Sequence, residues 1–126
     1  MDKNVSAQRI LVVDDDALQV RLLKELLSKN GYEVVSTQEA AVGLQTAIDD
    51  DIALIVLDVM MPIINGYNFC KLLKSQEKKK HIPVIMLTSR DKKEDEQFGK
   101  EAGADAYLTK PLNTALFLET VKRLIG

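Results

Sequence analysis

Short apolar runs alternate along the chain with segments whose apolar residues recur at helical spacing. The runs lie at Ile10–Val13, Tyr32–Val35, Ile52–Leu57, Val84–Leu87 and Ala106–Leu108. Several of them are continuously apolar, which is typical of parallel strands that helices cover on both faces. The pattern therefore predicts five strands, each followed by a helix.

The segments after the strands are amphipathic, because their apolar residues share one helical face. These residues fall within Leu18–Leu27, Ala40–Ile48, Phe69–Leu73 and Phe117–Ile125, while the fourth predicted helix, about Lys92 to Ala102, has the weakest apolar stripe. Residues with capping preferences separate the elements. Gly31 and Gly103 stand where helices should end, Asn113 can cap the last helix, and Ser36 with Glu39 has the spacing of a capping box.

The alternation of strand and helix predicts an α/β fold. Five parallel strands with right-handed crossovers give an open, doubly wound sheet, because a closed barrel needs eight such units. We expect a flavodoxin-like fold with strand order 2-1-3-4-5. The chain has 126 residues, and we expect a flexible N-terminus at residues 1–8 and a single domain at residues 9–126.

Composition narrows the class of protein. Hydrophobic residues make up 46% and charged residues 29%, and a net charge of −2 gives no indication of nucleic-acid or membrane-surface binding. There is no pattern of a secretory signal, and no apolar run approaches the ~20 residues of a membrane span. The single cysteine, Cys70, cannot form an internal disulfide, which suits a reducing compartment. We therefore expect a cytoplasmic protein.

The predicted strands end in an unusual set of polar residues. The first strand leads into Asp14–Asp16, the third into Asp58, the fourth into Thr88 and the fifth into Lys110. In open α/β sheets the site lies at the carboxyl ends of the strands, here between strands 1 and 3, so these side chains should converge. Each one alone is an ordinary turn or capping residue, but that interpretation gives no reason for all of them to meet at one edge.

Such a set of side chains suits phosphoryl transfer. Clustered carboxylates raise one another's pKa, and a divalent cation that takes oxygen ligands, such as Mg²⁺, removes that penalty. A carboxylate oxygen of Asp58 can then attack phosphorus. The Lys110 ammonium and the Thr88 hydroxyl can stabilise the phosphoryl oxygens.

At these positions the chain resembles the receiver domains of two-component response regulators, and in particular those of the chemotaxis type. The resemblance rests on four motifs whose order and spacing match as a set, at Ile10–Asp16, Leu57–Gly66, Met86–Ser89 and Ala102–Pro111. It extends from about Arg9 to Ile125. The family is itself an example of the strand order 2-1-3-4-5. The resemblance and the order predicted from the strand and helix pattern are therefore not independent evidence for the fold.

The resemblance implies a role for each acidic residue. Asp58 is the phosphoacceptor. Asp14 and Asp15 hold Mg²⁺ (or Mn²⁺) together with Asp58 and the backbone carbonyl of Met60. Asp16 fits the family less closely, and we interpret it as a cap of the first helix.

The resemblance also implies a switch. Thr88 and Lys110 contact the phosphoryl oxygens, and Tyr107 changes rotamer together with Thr88 in the active state. The Lys110–Pro111 bond is cis in such domains. A downstream target or a fused output domain is then expected at the surface formed by the fourth helix, the fifth strand and the fifth helix, with no direct binding of nucleic acid or membranes.

The phosphoryl group is expected to come from a histidine kinase or a phosphotransfer protein. The only histidine of the chain, His81, lies in a polar stretch before a strand, which indicates a solvated loop rather than a phosphohistidine site. In this family the residues two after the acceptor and two after the threonine flank the attacking water, and here they are Met60 and Arg90. We therefore expect slow self-dephosphorylation. The resemblance implies a signalling switch rather than an enzyme, because such a domain catalyses only its own phosphorylation and dephosphorylation.

Two other functions compete with this interpretation. A phosphatase of the haloacid-dehalogenase type also forms an aspartyl-phosphate and carries a D-x-D motif after its first strand, as at Asp14 and Asp16. That interpretation gives Asp58 no clear role and leaves no room for a cap domain. The third possibility, an interaction module that works without phosphorylation, is disfavoured by the intact acidic set.

Overall fold

The computed structural model describes residues 7–61, 64–88 and 99–126. The strands are β1 (Arg9–Val13), β2 (Glu33–Thr37), β3 (Leu54–Asp58), β4 (Val84–Thr88) and β5 (Ala106–Thr109). The helices are α1 (Ala17–Lys29), α2 (Ala40–Asp49), α3 (Gly66–Lys74) and α5 (Thr114–Ile125). Residues 99–102 are also helical, and we number this segment α4.

All the strand pairs are parallel, and the sheet has the order β2-β1-β3-β4-β5. The predicted flavodoxin-like topology is confirmed. Its register determines which residues meet at the carboxyl edge of the sheet. Val13 pairs with Leu57, so the residues that follow them, Asp14 and Asp58, leave neighbouring strands at the same level.

The core is divided into two layers, one on each face of the sheet. Alternate residues of β1 illustrate the division, because Leu11 packs with the helices α2 and α3 whereas Ile10 packs with α1 and α5. The largest buried side chains are Phe69 of α3 in the first layer and Phe117 of α5 in the second. Burial on both faces explains why the strands have continuous apolar sequences.

Most of the predicted caps are confirmed. Oδ1 of Asp16 accepts a hydrogen bond from the N–H of Leu18 at 3.0 Å, and Oδ1 of Asn113 accepts one from the N–H of Leu116 at 3.0 Å. Gly31 and Gly103 follow helices with φ of 89° and 100°, where glycine avoids a steric penalty.

The predicted capping box of Ser36 and Glu39 is wrong. Strand β2 continues through Thr37, and Ser36 pairs with Val12 within the sheet. Glu39 is itself the residue that precedes α2, and its side chain makes no capping hydrogen bond. Pairing with β1 therefore overrides the local sequence signal.

Some of the sequence-based expectations lie outside the described residues. These are residues 1–6 of the predicted N-terminal segment, Ser89, Arg90 and residues 92–98 of the fourth predicted helix. Gln8 is described, and its side-chain amide donates a hydrogen bond to the carbonyl of Ile125 at 3.0 Å. No helix within the described part of the chain is long and apolar enough to cross a membrane.

Candidate functional site

Three carboxylates meet at the carboxyl edge of the sheet. Asp14 and Asp15 follow β1, Asp58 ends β3, and one oxygen from each lies within 4.8 Å of the others. Asp14 is 1% exposed and Asp58 is 5% exposed, whereas Asp15 is open to solvent. The predicted convergence is confirmed for these residues.

Backbone N–H groups hold the two buried carboxylates in place. The N–H of Asp16 donates to Oδ1 of Asp14 at 2.9 Å, and the N–H of Met60 donates to Oδ1 of Asp58 at 3.3 Å. Both bonds join residues two apart, as is typical where an aspartate follows a strand and the chain turns. The side chain of Met60 is 51% exposed beside this turn.

Lys110 brings a positive charge to the carboxylates. Its Nζ lies 3.3 Å from Oδ2 of Asp14 and 3.5 Å from Oδ1 of Asp58. Its backbone N–H donates to the carbonyl of Thr88 at 2.6 Å, which holds the residue beside the end of β4. The Lys110–Pro111 bond is cis, as the family resemblance implies. Thr88 itself is fully buried at the end of β4. The sequence did not indicate the contact between Lys110 and Asp14, because nothing in the motifs specifies how two side chains from opposite ends of the chain pair.

Burial and mutual repulsion make the cluster electrostatically unfavourable by itself. Desolvation is the main reason that the pKa of Asp58 is raised to about 6, and the neighbouring charge of Asp14 adds to it, against the lowering effect of Lys110. Desolvation also raises the pKa of Asp14, although the Asp16 N–H and the Lys110 ammonium oppose it. The Lys110 ammonium contacts Asp14 and Asp58 and does not balance the charge of the three-carboxylate cluster.

The donor set fits a hard divalent cation. Carboxylate oxygens are the ligands that Mg²⁺ and Mn²⁺ prefer, and a doubly charged ion offsets the repulsion that raises the pKa of Asp58. The exposure of Asp15 leaves one side of the cluster open to water, which suits an ion that keeps several water ligands. These are the residues that could hold the metal.

Tyr107 lies apart from the carboxylates, on the face of the sheet that α4 covers. It pairs with Met86 across β4 and β5 and packs against the first core layer. Cys70 is buried in that layer, and His81 is exposed, as the sequence indicated for both.

Comparison with known proteins agrees with this geometry. The family model described as the response regulator receiver domain matches residues 10–122. The chain belongs to the response regulator receiver domain family. It is therefore a signalling protein that accepts a phosphoryl group and depends on a histidine kinase, rather than a phosphatase of the haloacid-dehalogenase type. Its acidic pocket consists of Asp14, Asp15 and Asp58.

The matches to individual relatives extend over nearly the whole chain. The polar-differentiation response regulator DivK of Brucella ovis is 33% identical over 117 residues, which are 93% of this chain and 95% of DivK. The chemotaxis protein CheY4 of Vibrio cholerae has a TM-score of 0.89 at 32% identity, covering 94% of this chain and 99% of CheY4. The receiver domain of the sensor histidine kinase PA1611 of Pseudomonas aeruginosa was solved with a magnesium ion coordinated in the active site cleft. It has a TM-score of 0.88 at 26% identity, covering 96% of this chain and 99% of that domain.

Proposed function

We propose that Asp58 is the phosphoacceptor of this receiver domain, which we take as residues 9–126 of a cytoplasmic signalling protein. Asp14 and Asp15, with Asp58 and the backbone carbonyl of Met60, hold Mg²⁺ or Mn²⁺. The observation that carries this assignment is the convergence of the three carboxylates, with the Lys110 ammonium in contact with Asp14 and Asp58. Among them, Asp58 alone ends β3, the middle strand of the five, with Asp14 after the neighbouring strand β1 and Nζ of Lys110 at 3.5 Å.

In the proposed reaction, a carboxylate oxygen of Asp58 attacks phosphorus in the donor phosphohistidine, and the imidazole leaves with the electrons of the P–N bond. Asp58 must be ionised to attack, so the groups that lower its raised pKa, Lys110 and the Met60 N–H, favour the reactive form. Lys110 and the Thr88 hydroxyl then stabilise charge on the phosphoryl oxygens. Bound magnesium supplies further neutralisation of the carboxylates and the phosphoryl group.

The direct test is phosphorylation by acetyl phosphate with Mg²⁺ in Asp58→Asn and in a matched control, Asp51→Asn, which changes an exposed aspartate at the opposite end of the sheet. We expect the control to be labelled like the native protein and Asp58→Asn to lose the label. Equal labelling of Asp58→Asn would contradict the assignment.

We also propose that the phosphodonor docks on α1. A groove of about 440 Å³ between α1 and the segment after β5 is lined by apolar residues that include Leu22 and Pro111, and Lys110 lines it as well. Leu18 and Leu22 lie one turn apart on α1 and are 63% and 52% exposed, so together they form an apolar patch on the surface of this helix. A partner on this groove would therefore contact Lys110, which is itself part of the site.

A charge introduced on the apolar face of α1 separates docking from chemistry. Leu22→Glu should slow phosphotransfer from the kinase at least severalfold but leave labelling by acetyl phosphate unchanged. Leu72→Glu on α3, where the native leucine is 46% exposed, is the matched control and should affect neither reaction. A kinase reaction that is insensitive to Leu22→Glu would place the donor on another surface.

The output surface is proposed to be the one formed by α4, β5 and α5. Tyr107 supports this assignment, because it lies on β5, contacts α4 and is three residues before Lys110. A phosphoryl group adds charge and acceptor oxygens beside Thr88. Movement of Thr88 toward them changes the space available to Tyr107, which carries the change to a downstream target or fused output domain.

A further inference from the structure

The ring of Tyr107 occupies the space that a side chain at position 99 would need. A β carbon added to Gly99 would lie 2.8 Å from Cδ2 and 3.2 Å from Cε2 of Tyr107, and 3.5 Å from Sδ of Met86. A carbon–carbon approach of 2.8 Å is well inside van der Waals contact. The observed position of the ring therefore depends on the absence of a β carbon at Gly99.

Among the described residues, the contact with Tyr107 is the feature that calls for a glycine at position 99. Gly99 lies in the described part of α4, where its backbone is helical without a positive φ. Within helices glycine is among the least favourable residues, and alanine is the most favourable. The turn that ends α4 is made instead by Gly103, whose φ is 100°.

Tyr107 is half-buried, with its ring turned toward the core, and its hydroxyl group opposes this position, which we call the buried position. Its oxygen is buried and has no hydrogen-bond partner among the described residues. A buried hydroxyl without a partner loses the hydrogen bonds that it would make with water. Packing of the ring against Met86 and Gly99 therefore favours the buried position, and desolvation of the hydroxyl favours a solvent-facing one.

We infer that Gly99 is a positioning residue that sets the balance between buried and solvent-facing Tyr107, and through it the readiness of the site for phosphorylation. The inference rests on the proposed function, in which Thr88 and Tyr107 move together. If the phosphorylated state requires the buried ring, then the apparent affinity for a phosphoryl mimic falls with the fraction of the protein that has the ring buried.

The test compares Gly99→Ala in two backgrounds, the native protein and Tyr107→Ala, by titrating beryllofluoride in the presence of Mg²⁺. In the native background the β carbon disfavours the buried ring, and a fall of that population to one tenth would weaken the apparent affinity about tenfold. In the Tyr107→Ala background there is no ring to exclude, so Gly99→Ala should leave the affinity unchanged. It should also raise the melting temperature there, because alanine favours the helix.

Tyr107→Phe provides the opposite change. Without the hydroxyl, the buried ring is no longer penalised, so the apparent affinity for beryllofluoride should increase. The chain has three tyrosines, so fluorotyrosine labelling gives three ¹⁹F signals, and Tyr107→Phe assigns the signal of Tyr107. Gly99→Ala should move the chemical shift of that signal toward the value of a fluorotyrosine exposed to solvent.

Two results would overturn the inference. One is an equal loss of affinity from Gly99→Ala in both backgrounds, which would mean that Gly99 acts through the helix rather than the ring. The other is an unchanged affinity and ¹⁹F signal in the native background. Failure of the proposed function is distinguishable from both, because the native protein itself would then not bind beryllofluoride with Mg²⁺.

Discussion

Nζ of Lys110 lies 3.5 Å from Oδ1 of Asp58, although 52 positions separate the two residues in the sequence. The same ammonium contacts Asp14 at 3.3 Å. The contact lowers the pKa of Asp58 but does not overcome the effect of burial, which raises it to about 6. Without a bound metal ion, the carboxylate cluster is therefore electrostatically unfavourable, and the first three predictions follow from this.

The first prediction concerns the stability of the metal-free protein. Because the pKa of Asp58 is raised in the folded state, the folded protein binds more protons than the unfolded chain near pH 5, and this contribution to stability is lost as the pH rises through about 6. Asp58→Asn removes the penalty and should stabilise the protein at neutral pH by on the order of 2–3 kcal/mol. Urea denaturation with a chelator, near pH 4 and near pH 8, measures the difference. If the variant gained no stability at the higher pH, the ionised carboxylate of Asp58 would not destabilise the folded protein.

Removal of the ammonium should have the opposite effect. In Lys110→Met the buried carboxylates lose the group that lowers their pKa. We expect a loss of about 1–3 kcal/mol at neutral pH, and little loss near pH 4, where the carboxyl groups become protonated. The same denaturation experiment applies, and a loss of equal size at both pH values would indicate that Lys110 contributes through packing.

A third prediction concerns the metal. Asp15 is exposed and belongs to the carboxylate cluster, so Asp15→Asn should leave the fold intact while greatly weakening the binding of Mg²⁺. In the native protein Mg²⁺ should raise the unfolding midpoint, because a ligand of the folded state stabilises it. Most of that increase should disappear in Asp15→Asn, and also in Asp14→Asn. An unchanged Mg²⁺ titration in both variants would exclude the proposed metal site.

The fourth prediction concerns the lifetime of the phosphoryl group. Met60 is 51% exposed two residues after Asp58 and offers no polar group that could orient a water molecule. Met60→Asn supplies one and should accelerate self-dephosphorylation severalfold. Met60→Leu, which keeps the side chain apolar, is the control and should decay like the native protein. Equal decay rates in all three would mean that this position does not control the water.

The sequence predicted those features that follow from strand order, and it missed those that depend on packing between distant segments. Asp14 and Asp58 could be placed together because consecutive βα units determine which strands are neighbours. The apparent capping box at Ser36 failed because pairing with β1 extends β2 past it. The contact of Gly99 with the Tyr107 ring could not be predicted from the sequence, since it requires the crossing of α4 and β5 to be known.

The most direct test of the account is to locate the phosphoryl group on the native chain. Phosphorylation with Mg²⁺, followed by reduction of the acyl phosphate with borohydride, converts a phosphoaspartate to homoserine, which peptide mass spectrometry assigns to a position. We predict homoserine at position 58 alone, with no modification at Asp14, Asp15 or His81. Reduction at Asp14 or Asp15, or a stable phosphate on another residue with position 58 unmodified, would contradict the central claim.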